Sequence, residues 1–288
     1  MTSTACSLSS PSDPMSVFDR ALVRRHRERA APAFDAHDFL FVEAAERLVE
    51  RLDDIVRPFP VALDLGCHAG AVGQALERTG LRARKGIETL VQADLAPALA
   101  RRAARALPDV PTFVADEEWL PLRPASLDLV LSALSLHWVN DLPGVLVQLR
   151  RALRPGGVLL ASLLGGETLV ELRACLAEAE LAVEGGVSPR CSPLAAVRDV
   201  GDLLVRAGFA LPTVDAEAIP VHYAEPVRLL ADLRGMGESN AVAARRRVPL
   251  RRETLARALE LYNARHATPE GRVVATFEVI TLIAWAPG

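Results

Sequence analysis

The chain has 288 residues, half of them hydrophobic, with 33 basic and 36 acidic side chains and a formal net charge of −3. That length and composition support one large core and exclude an intrinsically disordered chain. The near-neutral balance gives no electrostatic argument for nucleic acid or an anionic membrane surface, and no apolar run reaches the roughly 18 residues that a spanning helix needs.

Nearly all the positive charge is arginine, and Lys85 is the only lysine; coding bias accounts for that. Cys6, Cys67, Cys175 and Cys191 form no CxxC pair and no metal-ligand spacing, so reduced thiols and a cytoplasmic location are expected. Residues 1–15 are rich in Ser and Pro and lack the apolar core of a secretory signal. They read as a disordered leader, with Met15 as an alternative start.

Residues 16–30, SVFDRALVRRHRERA, read as a helix with arginines at 20, 24, 25, 27 and 29, broken near Pro32. Either its basic face is simply solvated, or it is a docking surface or a lid over a site. Residues 38–56 place Phe41, Ala44, Ala45, Leu48, Leu52 and Ile55 near helical spacing. Pro58 and Pro60 stop that helix, which completes an N-terminal helical segment, 16–58. Strand and helix then alternate: strand 61–65, helix 70–79, strand 89–95, helix 97–106, strands 111–115 and 127–134, helix 142–153, strand 157–164. Repeated βα units with apolar strands imply a mostly parallel sheet covered on both faces. Helices follow at 167–183, 194–207, 226–234 and 250–266, with strands at 212–220 and 273–286. The expectation is an α/β, doubly wound, seven-stranded domain over 59–288, with a helical cap inserted at about 221–270.

In doubly wound sheets, ligands bind beyond the carboxyl ends of the strands. The first strand ends in VALDLGCHAG, residues 61–70, where Gly66 and Gly70 allow a tight turn before a helix N-terminus. GxGxxG is absent, and Asp64 would repel a pyrophosphate but suit a cation. Asp94 ends the second strand, placed for ribose hydroxyls. Asp116 and Glu117 end the third, placed for an exocyclic amine. Any one carboxylate could be a helix N-cap. In succession they describe a site for a nucleoside with a positive, phosphate-free substituent, and S-adenosyl-L-methionine fits that description.

DLGCHAG, QADLAPAL, ADEEWLPL, LDLVLSALSLHWVNDLPGVL and LRPGG resemble, in order, the blocks of class I S-adenosylmethionine-dependent methyltransferases over about residues 60–164. SVFDRAL, LSLHWVNDLP, GGETLVELR, EGGVSPRCSP and DLRGMGESN carry a closer resemblance, from residue 16 onward, to the family of the mitochondrial complex I assembly factor with a methyltransferase fold. The malonyl-carrier-protein O-methyltransferases of biotin synthesis are more distant relatives. The resemblance implies a Rossmann-like fold and a cofactor site on Asp64, Leu65, Gly66, Cys67, His68, Gly70, Asp94, Leu95, Asp116, Glu117, Ser132 and Leu134. It implies a methyltransferase acting on a protein, a respiratory complex I subunit. Arginine hydroxylation of such a subunit, carboxyl O-methylation of a carrier protein or small molecule, and a non-catalytic assembly role stay open.

His68 departs from the family's D-x-G-x-G-x-G loop, where the central position is glycine. Its ring can turn outward and leave binding intact, donate to the cofactor carboxylate, or weaken binding. Methyl transfer is driven largely by alignment and needs little acid-base machinery. The candidates for chemistry follow the fourth strand, at Ser135, His137 and Trp138. His137 is either a general base or a structural histidine bonded to a backbone carbonyl; Trp138 either walls the substrate pocket or simply packs. GMGESN, residues 235–240, reads as a shaped turn in the cap or an ordinary loop. Glu117, Glu118 and Glu238 would suit a positively charged substrate. No metal constellation and no GxSxG elbow appear, which excludes the usual hydrolase design.

Overall fold

A computed structural model describes residues 16–288. The expected leader, residues 1–15, and Cys6 lie outside the described residues. Strands β1 Val61–Leu65, β2 Thr89–Asp94, β3 Thr112–Val114, β4 Leu127–Ala133, β5 Leu153–Leu164, β6 Ala210–Tyr223 and β7 Val273–Trp285 form one sheet in the order β3-β2-β1-β4-β5-β7-β6. The first five pair in parallel, and β7 runs antiparallel to both β5 and β6. The order reverses between β1 and β4, so the crevice falls where the sequence places the acidic strand ends.

Helices α1 Arg20–Ala30 and α2 Phe39–Asp53 precede the sheet, joined by a 3-10 segment, Ala31–Ala36. Then follow α3 Ala71–Arg78, α4 Leu81–Arg84, α5 Pro97–Ala106, α6 Leu142–Ala152, α7 Val170–Glu184, α8 Val197–Arg206, α9 Pro226–Met236 and α10 Arg252–His266. Alternation along the strands sorts the core. Ala62, Leu129, Leu131, Val158 and Leu160 pack against Leu48 and Leu52 of α2 and Leu76 of α3. Leu63, Leu65, Val130, Leu159 and Ala161 pack against Leu146 and Leu149 of α6 and Leu204 of α8.

The expected elements are present, and their ends move where pairing rather than composition decides. β5 starts at Leu153, opposite Leu127, four residues before the apolar run, with a register shift between Leu127 and Leu129. β6 continues to Tyr223, because Tyr223 still pairs with Val273. The helical layer beyond the strand ends extends past residues 221–270: α10 packs on α7, which precedes β6, and α9 packs on α1. No described helix is long and apolar enough to cross a membrane.

Leu48 is fully buried between α2 and the sheet. Leu48→Ala is expected to cost about 2–5 kcal/mol, read as a lowered urea midpoint with an unchanged slope.

Candidate functional site

The loop after β1 is fastened to the end of β2. The Gly66 and Cys67 N–H groups both donate to the Ala93 carbonyl, at 2.8 and 2.9 Å. Gly66 has φ +67°, and a Cβ there would lie 2.2 Å from the Ser135 side chain. Glycine is therefore required here by close approach of the β4 loop. Gly70, at φ +88°, precedes α3.

Asp64 faces α3 and is fully buried. One oxygen, Oδ2, accepts from the Gln92 amide at 3.3 Å. The other oxygen, Oδ1, has no partner. Burial, with Asp94 adding to it, pushes its pKa up to about 7. Asp94 Oδ2 accepts from the His68 N–H at 3.0 Å and Oδ1 from the Ala96 N–H at 2.7 Å.

The centre of the site is an arginine from α1. Arg27 is fully buried. Its Nη1 lies 3.2 Å from Glu117 Oε1 and 3.6 Å from Asp94 Oδ2, and its Nη2 donates to Ser135 Oγ at 3.0 Å. Ser135 Oγ itself donates to Glu117 Oε1 at 2.5 Å. Arg20, two turns earlier, pairs with Glu117 Oε2 and with Asp116 Oδ1, the latter at 2.7 Å, and donates to the Trp138 carbonyl at 3.0 Å. Burial raises the Glu117 pKa, but Arg27, Arg20 and Ser135 outweigh it and hold the carboxyl at about 2.

α1 is thus more than a solvated basic helix: two of its five arginines enter the crevice. The signal in the sequence is weak but present. Arg20, Val23, Arg27 and Ala30 lie at helical spacing, and three of them are buried.

The His68 backbone is left-handed, at φ +50°. Its ring packs on Phe41, 4.3 Å between centroids, and stacks near Phe34, with Nε2 3.3 Å from the Leu134 carbonyl. Burial and Arg27 lower its pKa to about 4, so the ring is neutral near neutral pH. The ring is thus buried under the N-terminal segment, with Nδ1 4.0 Å from Asp94 Oδ2. Leu134 is also left-handed, at φ +49°. Cys67 is buried, which raises its thiol well above the usual range. Leu95 packs with Phe18 and Trp138. Ser132 is buried with its hydroxyl unpartnered. Leu65 belongs to the α6 and α8 core. The loop thus gathers Gly66, Asp94, Glu117 and Ser135 around Arg27, while Leu65 points into the core.

A second cluster lies under the cap. Leu136–Trp138 form a 3-10 turn after β4. His137 Nε2 donates to Glu238 Oε2 at 3.0 Å, and Trp138 Nε1 to the same carboxylate at 2.9 Å. The histidine partner is therefore a carboxylate and not a backbone carbonyl. Burial opposes ionisation of Glu238, but His137 and Trp138 pull its pKa below the ordinary value, so Nε2 carries the proton. Gly237, at φ +83°, ends α9 against the Arg27 backbone and turns Glu238 inward. Glu118 is taken up by the Asn140 N–H. A cavity of about 250 Å³ adjoins this cluster, lined by His137, Trp138, Leu172, Leu233, Glu238 and Phe277 among others.

Similarity to known proteins agrees with this fold. A methyltransferase-domain family model matches residues 63–161. The human mitochondrial arginine-hydroxylase NDUFAF5 is 43% identical over 274 residues, covering 94% of this chain and 77% of that protein. The malonyl-[acyl-carrier protein] O-methyltransferase of Halorhodospira halophila is 39% identical over 282 residues, covering 96% of this chain and 91% of that protein. The crystal structure of the Bacillus YcgJ protein superposes with TM-score 0.58 at 13% identity over 85% of this chain and 99% of that one. Fold and site define a class I S-adenosylmethionine-dependent methyltransferase. Within that class, the chain belongs to the family that includes NDUFAF5 and the malonyl-[acyl-carrier protein] O-methyltransferases.

The residues fit the cofactor of that class, S-adenosylmethionine. The free oxygen of buried Asp64 can accept from an ammonium group, and a guanidinium bearing several donors already stands on Asp94 and Glu117. Asp64 also gives a pH test. Its folded pKa, about 7, lies above its ordinary 3.8. The folded state therefore holds a proton that the unfolded state has lost, and stability falls as pH rises through that window. Asp64→Asn is expected to melt higher than the parent at about pH 8 and to lose that advantage by about pH 4. Equal differences at both pH values would show that the carboxyl is not held neutral.

Proposed function

We propose that this chain methylates a side chain of a protein partner, a subunit of respiratory complex I, using the cavity between the β4 end and the cap. The Glu238 carboxylate at that cavity carries the reading. The walls are mainly apolar, with Leu172, Leu233 and Phe277 among them, and the space suits one extended side chain. At its polar end stand an ionised carboxylate and a histidine. A cationic side chain, such as arginine, would be met there by opposite charge. The relation to NDUFAF5, over nearly the whole chain, supports the same partner class.

S-adenosylmethionine, when bound, supplies an electrophilic methyl group. This chain's residues do the rest. Asp64 would receive the ammonium group, Asp94 the ribose hydroxyls, and Asp116 with Glu117 the adenine amine. Glu238 fixes the His137 tautomer, leaving Nδ1, buried and unpartnered, as the nitrogen able to take a proton from the nucleophile. Trp138 walls the cavity and anchors Glu238. Alignment of the nucleophile supplies most of the remaining rate.

A second reading has its own observation. Arg173 and Arg190 also line the cavity; Arg190 is paired with Glu180, which leaves Arg173 as the charge to suit a carboxylate, as in carboxyl O-methylation of a carrier-bound acyl group. That nucleophile needs no base. The two readings separate by intact mass, after incubation of the protein and S-adenosylmethionine with either the isolated iron–sulfur subunit or malonyl-carrier protein. A gain of about 14 Da on the subunit is expected, with His137→Asn slowing it about 10²–10⁴-fold. A gain of about 16 Da would mean oxygen transfer and overturn methylation. A 14 Da gain on the carrier protein alone would favour the second reading.

A further inference from the structure

Asp94 and Glu117 are the groups that should receive a nucleoside, yet both carry Arg27. The guanidinium presents a fork of N–H donors to oxygens that ribose hydroxyls and an amine would otherwise reach. It is also tied to Ser135, whose side chain lies against Gly66. Cofactor and Arg27 therefore compete for the same acceptors.

Beside this cluster, a depression of about 510 Å³ lined by Arg20, Ala21, Arg24, Arg25, Glu28, Leu95 and Asp116 opens to solvent. It ends at the Arg20–Asp116 ion pair, next to the Arg20–Glu117 and Arg27–Glu117 contacts.

We propose that Arg27 sets cofactor affinity: it is a resident occupant of the nucleoside site, and the cofactor binds by displacing it. Affinity is then reduced by the fraction of molecules in which Arg27 is already out. If that fraction is about one in ten to one in a hundred, a variant lacking the guanidinium binds about 10- to 100-fold tighter.

The displacement reaches the second cluster. α1 is fastened to residues 237–243. The Asp19 N–H donates to the Ala241 carbonyl and the Ala243 N–H to the Val17 carbonyl, both at 2.8 Å. His26 lies 3.0 Å from the Ser239 carbonyl, and the Arg27 backbone touches Gly237. The segment that carries Glu238 to His137 is the one that seats Arg27, so cofactor binding alters the protection of both.

Arg27→Met keeps the length of the side chain without its donors. Glu117 retains Arg20 and Ser135, and Asp94 retains its two backbone N–H groups, so this variant should fold; circular dichroism and melting check that. Arg27→Lys, which keeps a charge but loses the fork, should fall between the two. Calorimetric titration with S-adenosylmethionine and S-adenosylhomocysteine is the test. Tightening by about tenfold or more in Arg27→Met, with faster amide exchange in 20–30 and 237–243 of the parent on adding cofactor, supports the proposal. Affinity unchanged within about twofold, or weakened in the folded variant, overturns it; weakening would make Arg27 a direct cofactor contact. If neither parent nor variant binds, the cofactor assignment fails with it. The proposal rests on that assignment and not on the substrate, so a negative mass experiment leaves it standing.

Discussion

Buried carboxylates at the ends of parallel strands dominate this molecule. Asp94 and Glu117 are almost fully removed from water, where an uncompensated charge costs several kcal/mol. Backbone N–H groups satisfy much of Asp94. Glu117 depends on guanidinium groups, and Arg27 and Arg20 supply them. That requirement places α1 across the crevice, and the rest follows from its position. The residues leading into α1 bring Phe18 against Trp138, and their bonds to 241 and 243 position the segment bearing Glu238. One ion-pair cluster thus organises the crevice directly and the His137–Glu238 cluster at second hand. Glu117 is held by Arg20 and Ser135 as well as Arg27, so the cluster does not depend on any one of its donors.

Most of the fold was legible in the sequence. Continuous apolar strands of five to eight residues, alternating with amphipathic helices, have few other solutions than a covered parallel sheet. The errors are local. Arg154 and Pro155 do not read as strand, yet β5 begins at Leu153 because Leu127 pairs with it. The acidic strand ends were legible for the same reason as the strands: an acidic residue after an apolar run marks where the chain leaves the sheet.

The partners of those acids were not legible. The five arginines of α1 differ in sequence only by their helical spacing to Val23 and Ala30, which puts Arg20 and Arg27 on the buried face without naming their partners. Arg27 meets Glu117 across 90 positions and His137 meets Glu238 across 101. No local pattern encodes separations of that size. GMGESN drew notice for its polar residues, but its first consequence is backbone geometry: Gly237 reverses the chain so that Glu238 points in.

His68 shows how the two levels meet. A left-handed backbone at a non-glycine residue costs about 1–3 kcal/mol, so a glycine would be the easier choice at φ +50°. The loop keeps what a glycine would provide, since the His68 N–H still donates to Asp94. The ring is neutral and adds no charge to a crowded set of carboxylates. It fills the space beside Phe34 and Phe41, both contributed by the N-terminal segment. Its packing on the two phenylalanine rings works against that strain, while Nδ1 is left buried without a partner. A glycine at 68 would leave a hole under the segment that carries Arg27. The departure from the family's loop and the buried Arg27 are therefore two parts of one arrangement, in which the N-terminal segment is packed into the crevice rather than laid over it.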